Sequence, residues 1–144
     1  MNNDAKKYEI AVGLDGSDSS WKALEEAISV ARHKKCVLHI VSIQELAEAS
    51  YSASEVLATD KTSRENLEKI QIKARIHAEN AGIEIETHIV AGSSSIALVD
   101  YVKRNHIDLL IVGDIGHSSI WGTLLGTSAE KIVRYAPCSV LIVR

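Results

Sequence analysis

From end to end, the chain alternates short apolar runs with longer stretches of helical periodicity. Residues 9–14, 36–43, 83–89, 109–112 and 139–143 read as strands. Between the first two, Trp21, Leu24, Ile28 and Ala31 share one helical face. Thr62 with Glu65 marks a second helix start, and Leu67, Ile70, Ala74, Ala78 and Ala81 give that helix its apolar face before Gly82. Ile96, Leu98, Val99 and Val102 form a third, closed by Asn105. A fourth covers 128–135, and Pro137 stops it. Strands separated by helices pair in parallel through crossovers. The fold class is therefore α/β: a single open parallel five-stranded sheet with helices on both faces, in one domain over residues 1–144.

The strand order follows from burial. Ile83-Glu84-Ile85-Glu86-Thr87-His88-Ile89 alternates apolar with polar, so one face is wet and the strand belongs at an edge. Cys36-Val37-Leu38-His39-Ile40-Val41-Ser42-Ile43 is near-continuous and central. The first half then winds outward, and the chain returns so that the fourth strand pairs with the first, giving the order 3-2-1-4-5. Such a sheet takes ligands at the crevice where its winding reverses, beyond the C-terminal strand ends. Two turns meet there: Asp15-Gly16-Ser17, and the long loop from Gly113 to Ser128.

The second turn carries the chemistry. It leaves the apolar run Leu109-Leu110-Ile111-Val112 and contains Gly113, Gly116 and Gly126. Gly113 and Gly116 permit tight turning and close backbone approach to a ligand. Gly126 frees the backbone just before Thr127, and Thr127 with Glu130 matches a capping box. A helix start of this kind presents N–H groups and the positive dipole end to an anion. The expected ligand is a nucleotide held by its phosphates. Glycines in a strand-to-helix loop also serve as plain turn residues, and Asp15 is equally suited to an Asx turn or to a ribose hydroxyl or adenine amine. Ile40, placed at the end of the second strand, offers apolar surface and backbone groups to a base.

Several classes are excluded. There is no Gly-x-x-x-x-Gly-Lys-Ser/Thr and no Gly-x-Gly-x-x-Gly after the first strand. The glycine loop has no Lys or Arg, so phosphate charge falls to backbone N–H groups, His117, Ser118, Ser119, Thr127, Ser128 and Mg²⁺ arriving with the nucleotide. With no identifiable general base or transition-state cation, any hydrolysis should be slow. The net charge of −3 and the absence of a long basic run argue against nucleic acid as a partner. A polar N-terminus and no apolar run near membrane-spanning length lead us to expect a soluble, cytoplasmic protein.

His39 reads as a core histidine with a hydrogen-bond partner, because no second His, Cys or Asp lies at metal spacing near it; no metal site is expected. Cys36 and Cys138 fall on non-adjacent strands and read as small buried side chains, not a disulfide. Arg32, His33, Lys34 and Lys35 complement a helix C-terminus. Residues 44–61, rich in Ala, Ser and Glu, fit either a short helix or a mobile segment able to fold over a ligand.

The spacing Gly113-x-x-Gly116, nine residues, then Gly126-Thr127 resembles the ATP-binding signature of the universal stress protein family. The resemblance extends to Val12-Gly13-Leu14-Asp15-Gly16-Ser17, to Leu38-His39-Ile40, to the stretch from Leu124 through Glu130, and to the ending Ala136-Pro137-Cys138-Ser139-Val140-Leu141-Ile142-Val143. It implies a Rossmann-like fold of the adenine nucleotide alpha hydrolase type, an ATP or AMP ligand with or without Mg²⁺, and a ligand-dependent stress-response module. Asp15 would hold the ribose and Ile40 would contact adenine. Gly13, Leu14 and Val112 would line the cleft, while Gly113, Gly116, Gly126, Thr127 and Ser128 wrap the phosphates. It also implies a homodimer through the last strand, at Val140, Leu141, Ile142 and Val143, which agrees with the tendency of an apolar edge to associate. Asp114 and Ile115 depart from the family, which often has a small polar residue and His or Arg there. A carboxylate beside phosphates repels them unless a cation intervenes. Two other readings stand: a nucleotide-free dimerisation module of this fold, and an adenylating enzyme, whose Ser/Gly-rich pyrophosphate loop is similar to the stretch from Gly13 to Ser19.

Overall fold

The computed structural model describes residues 5–46, 52–114 and 126–144. Five parallel strands alternate with four helices: β1 (Ile10–Gly13), α1 (Asp18–Lys34), β2 (Leu38–Gln44), α2 (Ala53–Asn80), β3 (Ile85–Ala91), α3 (Ser94–Arg104), β4 (Leu109–Gly113), α4 (Thr127–Tyr135) and β5 (Ser139–Val143). The sheet order is β3-β2-β1-β4-β5, as burial patterning predicts. In register, Val12 lies opposite both Ile40 on β2 and Ile111 on β4, which puts β1 at the centre of the sheet.

The period of two along each strand builds two cores. Ile10, Val12, Leu38, Ile40 and Ile111 pack with Leu24, Ala27 and Ile28 of α1 and Ala74 and Ala78 of α2. On the opposite face, Ala11, Val41, Leu110 and Val112 pack with Leu98, Tyr101 and Val102 of α3 and Ile132 of α4. The side chains are almost all aliphatic, as a chain without Phe requires. Ile96 does not belong to the third helix's core face: it is exposed, and Ala97, Leu98, Tyr101 and Val102 are turned inward instead.

The second helix begins earlier than Thr62. Ser52 is its N-cap, and the Glu55 carboxylate accepts from the Ser52 N–H at 2.8 Å, completing a capping box. Residues 53–61 contain no Gly or Pro, so nothing interrupts the helix once it is capped there. Thr62 lies inside it, its hydroxyl donating to the Ala58 carbonyl at 3.0 Å. Much of the undecided 44–61 segment is thus helical. At the far end Gly82, at φ +77°, terminates α2, and its N–H donates to the Glu79 carbonyl.

Among the described residues, no helix is long and apolar enough to cross a membrane. Cys36 is buried and Cys138 half-buried, both are free thiols, and burial pushes both above the usual thiol range.

Candidate functional site

The two turns singled out in the sequence converge where β1 and β4 end. β1 and β4 are hydrogen-bonded neighbours, so the chain leaves both toward the same edge of the sheet. The contact between the two turns is close. A Cβ built on Gly113 would lie 2.7 Å from the Ser19 carbonyl carbon and 2.8 Å from its Cβ, well inside ordinary contact. Gly113 does not adopt a positive φ. It is glycine because the end of β4 is pressed against the first turn of α1. Gly13 is similarly tight, an added Cβ meeting Leu98 Cδ2 at 3.1 Å and Val112 Cγ1 at 3.3 Å.

The first turn is built around Asp15. Its Oδ1 accepts from the Ser17 N–H at 2.9 Å and from the Ser17 hydroxyl at 2.5 Å, an Asx turn. Gly16 reaches φ +87°, the left-handed region that a side chain would strain. Ser17 then caps α1, its Oγ accepting from the Ser20 N–H at 3.3 Å. Leu14, fully buried, anchors the turn: its N–H donates to the Val41 carbonyl at 2.9 Å, and its carbonyl accepts from the Ser42 hydroxyl at 2.7 Å.

The second turn closes on itself through the backbone. Gly126 N–H donates to the Asp114 carbonyl at 2.9 Å, and Asp114 N–H to the Val143 carbonyl at 3.0 Å. The start of α4 is thereby fixed beside the end of β4. Gly116, His117, Ser118 and Ser119 lie outside the described residues.

Three details differ from the sequence expectation. Gly126, not Thr127, is the N-cap of α4, and its carbonyl accepts from the Glu130 N–H, so Thr127 and Glu130 form no capping box. Among the described residues, no side-chain hydrogen bond caps this helix. Gly126 itself sits at φ −59°, ψ 151°, a conformation open to any L residue, so its need for glycine is not conformational. Ile40 is not at the end of the second strand: that strand continues to Gln44, and Ile40 is fully buried against the α1 and α2 side. The apolar run in the sequence stops at Ile43 and conceals the true end, because Gln44 is buried too, its amide donating to the Asp60 carbonyl.

Sequence spacing also missed the surroundings of His39. It is a buried core histidine, as expected, with Nδ1 2.8 Å from the Tyr101 hydroxyl and Nε2 2.9 Å from a Glu9 carboxylate oxygen. Glu86 lies opposite it in register on β3, and His88 stacks against it at a ring separation of 6.0 Å. No local motif links residues 39, 86 and 88; only the pairing of β2 with β3 does.

The universal stress protein family model matches residues 8–144. Among curated relatives, universal stress protein Rv1636 of Mycobacterium tuberculosis is 32% identical over 139 residues, covering 93% of this chain and 94% of that one. Among solved structures, universal stress protein UspA from Lactobacillus plantarum superposes with a TM-score of 0.89 at 22% identity, covering 97% of this chain and 99% of that one. A universal stress protein in complex with cAMP is 31% identical at a TM-score of 0.75, with 95% and 97% covered. Two more distant structures, at 18% identity, share the fold. One, from Archaeoglobus fulgidus, was solved with dAMP (TM-score 0.69; 95% and 98% covered) and the other, from Arabidopsis thaliana, with AMP (TM-score 0.71; 94% and 90% covered). With the family model spanning nearly the whole chain and the predicted sheet order in place, this chain belongs to the universal stress protein family.

Proposed function

We propose that this chain binds an adenine nucleotide, ATP or AMP, in the crevice between the Asp15–Ser19 turn and the Gly113–Ser128 loop, and acts as a ligand-dependent stress-response module. The observation that carries the reading is the close contact of Gly113 with Ser19, next to a helix start that no described side chain caps. Uncapped N–H groups and the helix dipole favour an anion at that point. Thr127, in the first turn of α4, and Ser128 add hydroxyls, and Asp15, whose Oδ1 accepts from Ser17, is assigned the ribose through the remaining acceptor capacity of its carboxylate. Gly13, Leu14 and Val112, at or next to the ends of β1 and β4, are assigned to the lining of the crevice, whereas Ile40, buried in mid-strand, is not. The Asp114 carboxylate favours a nucleotide that brings Mg²⁺. That solved relatives carry cAMP, dAMP and AMP supports the adenine base as the shared feature.

The reading includes a homodimer through β5 in the cytoplasm. Among the described residues, β5 is an edge strand paired only with β4, and Val140, Leu141, Ile142 and Val143 are half-buried. Val133 and Tyr135 of α4, the helix preceding it, are exposed. An apolar edge of this kind is stabilised by pairing with a second copy.

The test is gentle purification followed by heat release. Adenine absorbance in the supernatant, identified chromatographically as ATP or AMP, is expected. Protein that releases no nucleotide and binds none by calorimetry would instead be a nucleotide-free dimerisation module.

A further inference from the structure

We propose that His39, Glu86 and His88 form a binding site for a divalent cation of the zinc class, on the sheet face covered by α3. The three come from adjacent strands, and one ligand atom from each lies within 4.8 Å of the others. Glu86 Oε2 is 3.6 Å from His39 Nδ1 and 3.4 Å from His88 Nε2. Zinc bonds of about 2.0–2.1 Å in a tetrahedron put neighbouring ligand atoms about 3.3 Å apart. Two of the three edges are therefore close to their bound length already. The third, between the two imidazoles, is within 4.8 Å.

The protonation of His39 suits this role. In the neutral tautomer that donates Nε2–H to the Glu9 carboxylate at 2.9 Å, Nδ1 keeps its lone pair. The Nδ1 lone pair is then directed to the side where Glu86 and His88 stand. A carboxylate on the far ring nitrogen is how metal-binding imidazoles are commonly held and made more basic. Tyr101 is the competitor: its hydroxyl donates to Nδ1 at 2.8 Å when no metal is bound. Two imidazoles and a carboxylate suit Zn²⁺ better than the hard cations Mg²⁺ or Ca²⁺. Access is open, because the side chains of Glu86 and His88 are 55% and 39% exposed while His39 forms the buried end. The site uses none of the residues assigned to the nucleotide crevice and stands whether or not a nucleotide binds.

Zn²⁺ titration of the full chain, stripped of metal and followed by calorimetry, tests this. One Zn²⁺ per chain is expected, with affinity falling tenfold or more in His88→Ala and in Glu86→Gln. His106→Ala and Cys138→Ser, outside the cluster, should bind as wild type does. Both cluster substitutions are at partly exposed positions, and an unchanged far-UV spectrum and melting temperature without metal will show that they fold. Co²⁺ should give the intense visible bands of a four-coordinate centre, lost in His88→Ala. Tyr101→Phe should strengthen Zn²⁺ binding by freeing Nδ1, a direction that a purely structural histidine cluster does not produce. The proposal is overturned if wild type shows no saturable Zn²⁺ binding, or if binding persists undiminished in both His88→Ala and Glu86→Gln.

Discussion

Gly113→Ala probes the junction of the two turns directly. The added methyl would occupy a point 2.7 Å from a backbone carbon of α1 and 2.8 Å from Ser19 Cβ. Neither atom is the end of a flexible side chain, so β4 and the first turn of α1 must move apart. Overpacking of this kind costs about 1–3 kcal/mol. An unfolding entropy of about 2.1 cal/mol/K per residue over 144 residues is about 0.3 kcal/mol/K, so Tm should fall by about 3–10 °C. The same displacement opens the crevice, and adenine-nucleotide affinity should fall about tenfold or more, equivalent to about 1.4 kcal/mol. Gly82→Ala is the control. A Cβ there meets nothing within 4 Å, but φ is +77°, so the strain is about 1–2 kcal/mol and lies in a turn remote from the crevice. Its Tm should drop by about 3–6 °C, with nucleotide affinity unchanged. Differential scanning calorimetry and isothermal titration read both quantities. A Gly113→Ala protein as stable as wild type, or one destabilised yet binding nucleotide normally, would refute the argument that this contact shapes the site.

Thr127→Ala should change stability by less than about 0.5 kcal/mol, because Thr127 makes no capping hydrogen bond; a loss of nucleotide affinity without a stability change would therefore report a hydroxyl contact with the ligand. Ser52→Ala should cost about 1 kcal/mol of local helix stability and accelerate hydrogen exchange in the first turn of α2 while leaving that of Leu67–Ala78 protected. The side-chain hydrogen bond from Lys6, and then the Glu9 N–H, hold the Asp108 carboxyl below its ordinary value of 3.8. A depressed carboxylate stabilises the fold above its unfolded value, and that contribution disappears as pH falls through the folded one. Acid unfolding of Asp108→Asn should accordingly be less steep below pH 3.8 than that of wild type. Sedimentation equilibrium should give twice the 15.7 kDa chain mass, and a monomer at all concentrations would remove β5 as an interface.

The fold was largely legible in the sequence because its signals were local. Apolar runs marked the strands, the alternation of Ile83 through Ile89 marked an edge, and Gly82 marked a helix end. Of the candidate site, the sequence offers residue types and spacing but not the geometry. Thr127 and Glu130 carry the spacing of a capping box, but Gly126, tied to Asp114, takes the cap position first. Thr62 and Glu65 carry the same spacing, but a stronger box ten residues earlier had already started the helix. Capping patterns are short and compete; the chain uses whichever the tertiary contacts favour. Gly113 looked like a turn residue and is instead a packing residue, a distinction that depends on α1, far away in sequence. The grouping of His39 with Glu86 and His88 is likewise set by strand register, which no local spacing encodes.

The most direct test of the account is an amide chemical-shift titration of nucleotide-free protein with AMP and with ATP plus Mg²⁺. The amides of Asp15 to Ser19, of Gly113 and Asp114, and of Gly126 to Ser128 should shift together along one saturable curve. Saturable shifts confined to one of the two turns, or centred elsewhere on the sheet, would contradict a nucleotide site shared between them.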